Sequence, residues 1–471
     1  MNLPNTKKAK MRTDKKIEFL YDDYNNNNIY NIGNGQKYFI LTYGCQMNVH
    51  DSEYISGIME DIGYAKTIDM NEANVIIVNT CAIRENAHNK ASGMLGRIKH
   101  LKETKPNIKV IFCGCMAQEE KLVNVIKNYK WLDIICGTHN YHKIPEYLEA
   151  SLHENNVCEV FSIEGNVIEN IPIVRDSKYS AWVNIQYGCD KFCTYCIVPY
   201  TRGKQRSRKK EDIINEVIEL YNNGYSEVTL LGQNVNAYGK DFDYKYDFAD
   251  LLGEVSQTGI PRIRFVTSHP WDFTDKMIDT ISRCDNIMPY IHLPIQSGSN
   301  RILKLMGRKY TTEEYLTLIK KIKDKIPNVS ITTDIIVGFP GETKEDFQKT
   351  LDIVNKVKYD LAYTFIFSPR EGTPAAKMKD DTPYEEKQER LARLNKLINK
   401  YALESNKKMK DKIKDVLIIG ESDKSNKYMG YTENMKLVNV ACPKELVGKI
   451  IPVKITNVKT WSLDGEVYDK W

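Results

Sequence analysis

From residue 37 onward, the chain alternates short apolar runs with longer amphipathic stretches. The first four apolar runs predict β-strands at 38–41, 75–78, 109–112 and 134–135. Helical patterns follow the first three runs, starting near Asp51, Arg84 and Gln118. Strands that alternate with helices are typical of a parallel sheet covered by helices. We therefore predict an N-terminal parallel α/β domain over 36–155.

A second alternating region runs from about residue 181 to about residue 369. Its six predicted strands centre on Val183, Val228, Ile263, Ile291, Ile335 and Phe365. Six parallel strand–helix units predict an open partial (β/α)6 barrel, in a domain over 175–406. Barrels of this kind carry their chemistry at the carboxyl ends of the strands.

The pattern changes again after a long charged helix predicted over 384–410. Short β-type runs follow at 416–419, 435–440, 449–455 and 465–468, and they predict a small β-barrel over 408–471. Residues 1–35 combine lysines with an asparagine run and predict a disordered tail. The polar stretch 150–180 predicts a linker. The predicted fold class is α/β.

Composition narrows the class of protein. The chain has 471 residues, of which 42% are hydrophobic, and a formal net charge of +5. It lacks an apolar run of the roughly 18 residues that a membrane span needs, and its basic N-terminus lacks the apolar segment of a secretory signal. Eleven cysteines in such a chain indicate a reducing, cytoplasmic compartment, where clustered cysteines bind metal or do redox chemistry.

Three cysteines with C-x3-C-x2-C spacing follow the first strand of the predicted barrel. They are Cys189, Cys193 and Cys196. Such a loop can place three thiolates on one iron–sulfur cluster. A four-iron cluster would then keep one iron without a protein ligand, which is an open position for chemistry. A zinc knuckle and a disulfide-prone loop are the alternatives, although a histidine or fourth cysteine close by in sequence is missing.

A second set of three cysteines lies in the N-terminal domain. Cys45, Cys81 and Cys115 each follow one of the first three predicted strands. The carboxyl ends of parallel strands share one edge of a sheet, where ligands bind, so we expect the three thiols to meet there. They suit a second cluster with an open iron, and the alternative is three buried structural cysteines. The remaining cysteines are predicted to be packing residues, with Cys113 a weak competitor of Cys115.

Long motifs around both cysteine sets resemble the radical S-adenosylmethionine (SAM) methylthiotransferases. The matching segments are 42–48, 51–53, 79–87, 114–118, 198–203, 231–239 and 368–376, and the resemblance covers residue 37 to the C-terminus. It implies an N-terminal methylthiotransferase domain, a radical SAM core and a C-terminal TRAM domain, which is a small RNA-binding β-barrel. It also implies two [4Fe-4S] clusters. The cluster of Cys189, Cys193 and Cys196 would bind SAM and that of Cys45, Cys81 and Cys115 would carry the sulfur.

The resemblance also directs attention to residues that would contact SAM. Tyr195, which precedes the last cysteine of the loop, is expected to pack near the adenine. Ser268, Gln296 and Asp334 lie at strand ends and are candidates for hydrogen bonds to the ribose or methionine portion. Gly338 would allow the backbone to approach the cofactor closely. The alternative for each polar residue is a role in supporting the fold.

Candidate RNA contacts come from charge and aromatic residues. A basic run directly after the cysteine loop includes Arg202, Lys204, Arg206 and Arg208, and it is expected to contact phosphates, although such runs are often only solvated faces. Aromatic residues of the terminal barrel are expected to grip an anticodon stem-loop by shape and stacking. They are Tyr428, Tyr431 and Trp461. The implied partners are this tRNA stem-loop, an electron donor such as flavodoxin or ferredoxin, and iron–sulfur assembly proteins, without a membrane.

Among the branches of the family, the chain most resembles the one that methylthiolates C2 of N6-isopentenyladenosine in tRNA. The segment 46–48 and the run 82–86 favour that branch over the one acting on a ribosomal protein, and a branch acting on threonylcarbamoyl-adenosine is the next alternative. A hypothesis from a different class is a non-catalytic, RNA-bound iron–sulfur scaffold. Structural clusters tend to have four protein ligands, so two sets of three cysteines favour an enzyme.

Overall fold

The computed structural model describes residues 20–25, 29, 31–82, 85–153, 156–160, 166–424 and 426–468. Its N-terminal part contains a parallel sheet in which the strand order is β3-β2-β4-β5-β6-β7. The strands are β2 Lys37–Thr42, β3 Ala65–Lys66, β4 Val75–Thr80, β5 Lys109–Gly114, β6 Ile134–Cys136 and β7 Val157–Glu159. Four of them confirm the predicted strands, whereas β7 lies in the stretch predicted as a linker.

Helices cover both faces of this sheet. They are α1 Gln46–Asp61, α2 Glu85–Thr104, α3 Glu120–Ile126 and α4 Ile144–Ala150. Two separate apolar clusters lie on the two faces. Ile76, Val78 and Phe112 belong to one cluster, whereas Ile77 and Ile111 belong to the other. Strands that bury side chains on both faces are continuous apolar runs, which is why the sequence pattern identifies them.

The predictions for the tail and the linker are partly wrong. The strand β1 Leu20–Asp23, inside the predicted disordered tail, pairs in parallel with β8 Asn166–Glu169, inside the predicted linker. The Tyr21 hydroxyl also donates to the backbone carbonyl of Ser207, at 2.9 Å. This pairing joins residues nearly 150 positions apart, so local composition carries little signal for it. Residues 1–19 of the tail lie outside the described residues.

The central part is an open partial barrel built from two three-stranded parallel sheets. Their orders are β13-β12-β9 and β14-β15-β16, and a parallel bridge between Ile263 and Ile287 links them. All six predicted strands are confirmed: β9 Ser180–Asn184, β12 Glu227–Leu231, β13 Arg262–Phe265, β14 Tyr290–His292, β15 Ser330–Val337 and β16 Leu361–Ile366. A short antiparallel pair, β10 Gln186–Tyr187 and β11 Arg206–Ser207, brackets the cysteine loop.

The longer helices of the core pack outside these strands and bury their apolar faces against the sheet, whereas the short α5 Val198–Thr201 faces the N-terminal domain. The other core helices are α6 Lys210–Asn222, α7 Phe248–Val255, α8 Asp275–Arg283, α9 Asn300–Leu305, α10 Thr312–Lys325, α11 Lys344–Val357 and α12 Tyr384–Lys407. Thr311 and Thr343 begin α10 and α11 with capping boxes, in which each hydroxyl accepts from a backbone N–H of the first turn. In the described part of the chain, we find no helix long and apolar enough to cross a membrane.

The C-terminal part is a closed barrel in the order β17-β18-β19-β21-β20. The strands are β17 Ile413–Glu421, β18 Tyr428–Thr432, β19 Leu437–Ala441, β20 Ile450–Val458 and β21 Leu463–Val467. The small barrel is confirmed, but β18 was absent from the prediction. Gly430 interrupts the β-type pattern of this strand. A glycine is needed there because a Cβ would lie 2.3 Å from the Leu417 carbonyl oxygen.

This terminal barrel docks on the amino ends of the core strands. Arg262 and Arg264, on β13, donate to backbone carbonyls of β17, β18 and the β18–β19 turn. The terminal barrel also contacts the chain just before each of the remaining core strands. The contacted residues are Tyr179, Ser226, Pro289, Asn328 and Asp360. The cysteine loop follows β9 and β10, at the opposite end of the strands. The terminal barrel therefore closes the end of the core that faces away from the cysteines.

Candidate iron-sulfur and SAM site

The structure brings the three N-terminal cysteines together at the carboxyl edge of the sheet. Cys45 is the residue before α1, Cys81 directly follows β4, and Cys115 directly follows β5. The chain approaches closely here, since a Cβ on Gly44 would lie 2.7 Å from the Cβ of Cys81. A glycine is therefore required next to Cys45. The three cysteines thus lie at one edge of the sheet, and a cluster bound by their thiols stays a prediction.

The thiols of this set differ in their electrostatic surroundings. A hydrogen bond with Cys81 lowers the pKa of Cys45 to about 6, and the charge of Arg202 acts in the same direction. Burial raises the pKa of Cys115, which Arg202 partly offsets. The Nε of Arg202 donates to the Cys115 sulfur at 3.3 Å. A cation thus favours the thiolate form that metal ligation needs.

Arg202 comes from the core domain and is held by Asp51 of α1. Its Nη2 lies 2.5 Å from one carboxylate oxygen of Asp51 and its Nη1 lies 3.3 Å from the other. The guanidinium is buried, with 5% of the residue exposed. Arg202 is therefore unavailable to RNA phosphates, and the prediction of an RNA contact is wrong for this residue. The pair instead ties the core domain to the N-terminal cysteines.

The second cysteine set lies in the loop after β10. The loop is fixed to α9 through Thr194, whose N–H and hydroxyl donate to the carbonyls of Met306 and Leu305. Burial raises the pKa of Cys189 and Cys196, the latter to about 12. Thiols in this setting need a cation or a metal to become thiolates.

Arg308 supplies a cation to this loop. Its Nη1 donates to the Cys193 sulfur at 3.3 Å and lies 2.7 Å from Nε2 of His269. Burial, with the charge of Arg308, lowers the pKa of His269 to about 2, so the imidazole is neutral. Sequence reasoning missed Arg308, although it follows Gly307 in a turn with positive φ beside α9.

The residues around and after the cysteine loop form a small apolar contact with the N-terminal set. Cys115 and Ala82 of the N-terminal domain pack against Ile197 and Tyr200 of the core, with Phe192 at the edge. Ile197 directly follows Cys196, and Cys115 belongs to the other set. One shared contact thus joins the two candidate cluster sites, which is the arrangement that a reaction using both would need.

The donor sets suit clusters rather than single ions. In the ranges that the structure describes, no group of three or more His, Cys, Asp or Glu side chains is arranged to hold one metal ion. A zinc site needs its ligands about 2.3 Å from one metal, whereas the cysteines of a four-iron cluster bind separate irons. Cys113, the competitor of Cys115, packs with Cys136 in the core of the sheet. A cluster on each set of three thiols stays a prediction.

Unpaired polar atoms line the carboxyl edge of the barrel close to the loop. Four side chains have buried polar atoms without a hydrogen-bond partner among the described residues. They are Gln186, Gln233, Asn234 and Ser268. Buried polar atoms cost free energy unless they are hydrogen-bonded, so their grouping fits a polar ligand such as SAM. The sequence motif 232–234 marked this edge, but reasoning from sequence missed Gln186 and Gln233 as candidate ligands.

Two residues at this edge have strained backbones. Thr267 and Gln296 have φ angles of +70° and +72°, a region that a β-branched or other non-glycine residue rarely adopts. Gln296 also bridges β15, since its N–H donates to the Asp334 carbonyl. Nε2 of His292 lies 3.4 Å from the Asp334 carboxylate. Backbone strain of this kind clusters at functional sites, and SAM contacts by Ser268, Gln296 and Asp334 stay predictions.

Tyr195 and Gly338 have structural roles that sequence reasoning did not foresee. Tyr195 packs with Met306 and Phe339, the two ring centroids of Tyr195 and Phe339 being 6.5 Å apart. A Cβ on Gly338 would lie 2.5 Å from Cγ of Lys387, so the close approach that this glycine permits is to α12. Its N–H donates to Glu342 at 2.7 Å. The contact of Tyr195 with the adenine of SAM stays a prediction.

The rest of the basic run is also largely internal. Arg208 forms ion pairs with Glu169 and Glu216, at 2.6 and 2.8 Å, and Arg206 donates to the Lys204 carbonyl. Both arginines are buried. The prediction of phosphate contacts is therefore wrong for Arg206 and Arg208, because both side chains are buried and Arg208 is held by two carboxylates. Lys204 is half-buried and its RNA contact stays a prediction.

The three aromatic residues of the terminal barrel are also differently placed. Tyr428 packs against the core of that barrel. The carbonyl of Tyr431 accepts from Arg262 at the docking interface, and burial raises the pKa of its hydroxyl. Trp461 is 54% exposed. Of the three, Trp461 has the exposure that stacking on a base requires.

Family models match three successive parts of the chain. The radical SAM superfamily model matches residues 183–354, and the TRAM domain model matches residues 407–468. A model described as uncharacterized protein family UPF0004 matches residues 37–137. The radical SAM match implies SAM and a [4Fe-4S] cluster in the core.

Solved structures support the fold. The chain is similar to the radical S-adenosylmethionine methyltransferase TsrM from Kitasatospora setae with tryptophan substrate and a SAM analogue bound. The TM-score is 0.51 and the identity 13%, over 73% of this chain and 75% of that chain. A second structure of that protein, with cobalamin and a [4Fe-4S] cluster bound, gives a TM-score of 0.52 and 12% identity, over 73% of this chain and 74% of that one.

Curated relatives match almost the whole chain. It is 54% identical over 466 residues to the tRNA-2-methylthio-N(6)-dimethylallyladenosine synthase of Staphylococcus aureus strain MRSA252, covering 98% of this chain and 91% of that protein. The synthase of the same name from strain JH9 gives the same identity and coverage. The chain belongs to the family of tRNA-2-methylthio-N(6)-dimethylallyladenosine synthases.

Proposed function

We propose that the protein is a cytoplasmic radical SAM methylthiotransferase that converts N6-isopentenyladenosine, next to the anticodon of tRNA, to its 2-methylthio derivative. The observation that carries this proposal is the packing of Ile197, which follows Cys196, against Cys115 of the N-terminal set, with Arg202 of the core domain donating to Cys115. Each set offers three thiols, which leaves one iron of a four-iron cluster free. Two open sites beside each other suit a reaction that must generate a radical and supply sulfur.

Cys189, Cys193 and Cys196 would hold the cluster that binds SAM. When bound, this cluster supplies the electron that splits the sulfonium of SAM and yields the radical that removes hydrogen from C2 of the adenine. The protein's part is to hold the loop, and Thr194 does so through its hydrogen bonds to α9. Ser268 and Gln296, at the strand ends, orient the SAM molecule by hydrogen bonds.

Cys45, Cys81 and Cys115 would hold a second cluster, which supplies the site for the sulfur that is methylated by another SAM and then transferred. The ion pair of Arg202 and Asp51 holds the two domains together beside this cluster site. Ala82, Ile197 and Tyr200 exclude water from the contact between the sets. Excluding water protects a radical from side reactions, so an apolar wall here serves the proposed chemistry.

The proposal includes partners. The electron for SAM cleavage would come from a donor such as flavodoxin or ferredoxin, and iron–sulfur assembly proteins would load the clusters. The target adenine must leave its stack in the anticodon loop to reach the gap between the two cysteine sets. Methylthiolation of threonylcarbamoyl-adenosine or of a ribosomal protein would use the same cysteine sets, so the substrate distinguishes these functions.

Nucleoside mass spectrometry tests the substrate directly. We expect tRNA from a strain lacking the gene to contain N6-isopentenyladenosine without its 2-methylthio derivative, and the gene to restore the derivative. Unchanged 2-methylthio-N6-isopentenyladenosine, with loss of a methylthio group from another tRNA nucleoside or a ribosomal protein, would contradict the proposal. A non-catalytic scaffold would also yield no 5′-deoxyadenosine from SAM and a reductant.

A further inference from the structure

Trp271 is an exposed aromatic residue at the carboxyl edge of the barrel. It lies in a short 3-10 helix, Pro270–Asp272, which is separated from the end of β13 by four residues. The residue is 41% exposed, whereas its neighbour Asp272 is buried. The cation of Lys191 lies 4.6 Å from the centroid of the ring, and that of Lys309 lies 4.8 Å from it. The exposed indole thus offers an aromatic surface with two cations beside it.

The charge around this ring is positive. The buried carboxylate of Asp272 accepts from Lys191 and from Lys240, and these hydrogen bonds lower its pKa. One carboxylate thus faces two lysines, and Lys309 adds a third cation that has no ion pair among the residues described. The surface formed by Trp271, Lys191, Lys240 and Lys309, here called the Trp271 platform, carries an excess of positive charge.

The Trp271 platform adjoins the loop of the predicted SAM cluster. Lys191 belongs to that loop, between Cys189 and Cys193. Lys309 follows Arg308, whose guanidinium donates to the sulfur of Cys193. The terminal barrel, in contrast, docks at the amino ends of the strands. An RNA held by that barrel alone would have no contact at the edge where the adenine must react.

We propose that the Trp271 platform binds an unpaired nucleotide beside the target adenosine, with its base stacked on the indole and its phosphate on Lys309. This inference rests on the proposed function, because it assigns part of the same substrate. Aromatic side chains beside cations are the usual platform for single-stranded nucleic acid. A cation over an exposed ring is held weakly, so an incoming base displaces Lys309 and leaves it free to meet the phosphate.

Binding of an isopentenylated anticodon stem-loop RNA to the full-length, cluster-loaded protein tests this inference. We expect Trp271→Ala to raise Kd about tenfold or more, because stacking on an aromatic side chain is lost, and Trp271→Phe to restore most of the affinity. Lys309→Ala should reduce the slope of log Kd against log salt by about one. A 2-aminopurine next to the target should be quenched by the wild type and Trp271→Phe, but not by Trp271→Ala.

Matched controls lie at the other end of the core. Tyr221, 45% exposed at the end of α6, and Lys356, exposed in the last turn of α11, should tolerate alanine without a change in Kd or salt slope. Wild-type affinity and quenching in Trp271→Ala would overturn the inference. The inference would also be overturned if Trp271→Ala and Trp271→Phe lost the same affinity and Lys309→Ala left the salt slope unchanged. RNA binding that depends on Trp271, without a methylthio product from the wild type, would contradict the proposed function alone.

Discussion

The two cysteine sets each have a buried arginine that donates to one sulfur, but the positive charges of the two arginines are balanced differently. Arg202, beside Cys115, is paired with both carboxylate oxygens of Asp51. Arg308, beside Cys193, is bound in the described part of the chain by the Tyr310 hydroxyl, the Pro294 carbonyl and a neutral His269. In the first site the charge of Arg202 is balanced by Asp51, whereas in the second the arginine has no carboxylate partner among the described residues.

This difference follows from how the two sets are built. The N-terminal set collects one cysteine from each of three strand ends, and the Arg202–Asp51 pair fixes this site against the core domain. The loop set is local, and its geometry comes from hydrogen bonds between the loop and α9. A buried cation without an anionic partner is costly, so the Arg308 site is prepared to receive negative charge, as from the thiolate of Cys193.

Removing Arg202 should have the largest effect on stability. Arg202→Met leaves the buried Asp51 carboxylate without its cation, with only the Tyr141 hydroxyl at 3.5 Å, and we expect the free energy of unfolding of the cluster-free protein to fall by about 3–5 kcal/mol. Denaturant titration measures it. The double variant Asp51→Asn with Arg202→Met should recover most of this loss, and Arg393→Met, on an exposed ion pair with Glu389, should cost about 1 kcal/mol or less. Equal losses in the single and double variants would contradict the pairing argument.

A smaller effect is expected from Glu119, near the N-terminal set. Burial raises the pKa of its carboxyl from 4.5 to about 7, so the folded state binds a proton more tightly than the unfolded state. Its contribution to stability is therefore present at low pH and is lost as the pH rises from about 4.5 to 7. We expect Glu119→Gln to remove this dependence and to stabilise the protein at pH 8 by about 1–3 kcal/mol.

Unfolding curves of the wild type and Glu119→Gln at pH 5 and pH 8 measure this effect. The neighbouring Glu120, which is exposed, gives the control variant Glu120→Gln, for which the difference between the two pH values should match that of the wild type. A wild type and a Glu119→Gln variant with the same pH dependence would show that the carboxyl of Glu119 is not buried in solution.

The smallest effect on stability is expected from Arg308. Arg308→Met in the cluster-free protein loses hydrogen bonds but also removes an unbalanced buried charge, so we expect a change of about 1 kcal/mol or less. The same variant should shift the reduction potential of the loop's cluster to a lower value, because a cation near a sulfur is lost. A loss of stability as large as that of Arg202→Met would remove the difference between the two sites.

Sequence alone accounts for the parts of the structure that depend on local pattern. The six core strands and the convergence of Cys45, Cys81 and Cys115 follow from alternating apolar runs and the shared edge of a parallel sheet. The buried ion pairs of Arg202 and Arg208 do not follow from local pattern, because their partners Asp51 and Glu169 are 151 and 39 positions away. A basic run has the same local pattern whether it is solvated or buried against carboxylates. The docking of the terminal barrel is likewise a tertiary feature.

The separate roles of the two cysteine sets are tested most directly by a triple variant in which Cys45, Cys81 and Cys115 are all replaced by alanine. After anaerobic reconstitution, we expect about half of the wild-type iron, continued formation of 5′-deoxyadenosine from SAM, and no 2-methylthio product on isopentenylated tRNA. Replacing Cys189, Cys193 and Cys196 instead should abolish both products. Methylthiolation that survives in the first variant, with normal SAM cleavage, would contradict the account.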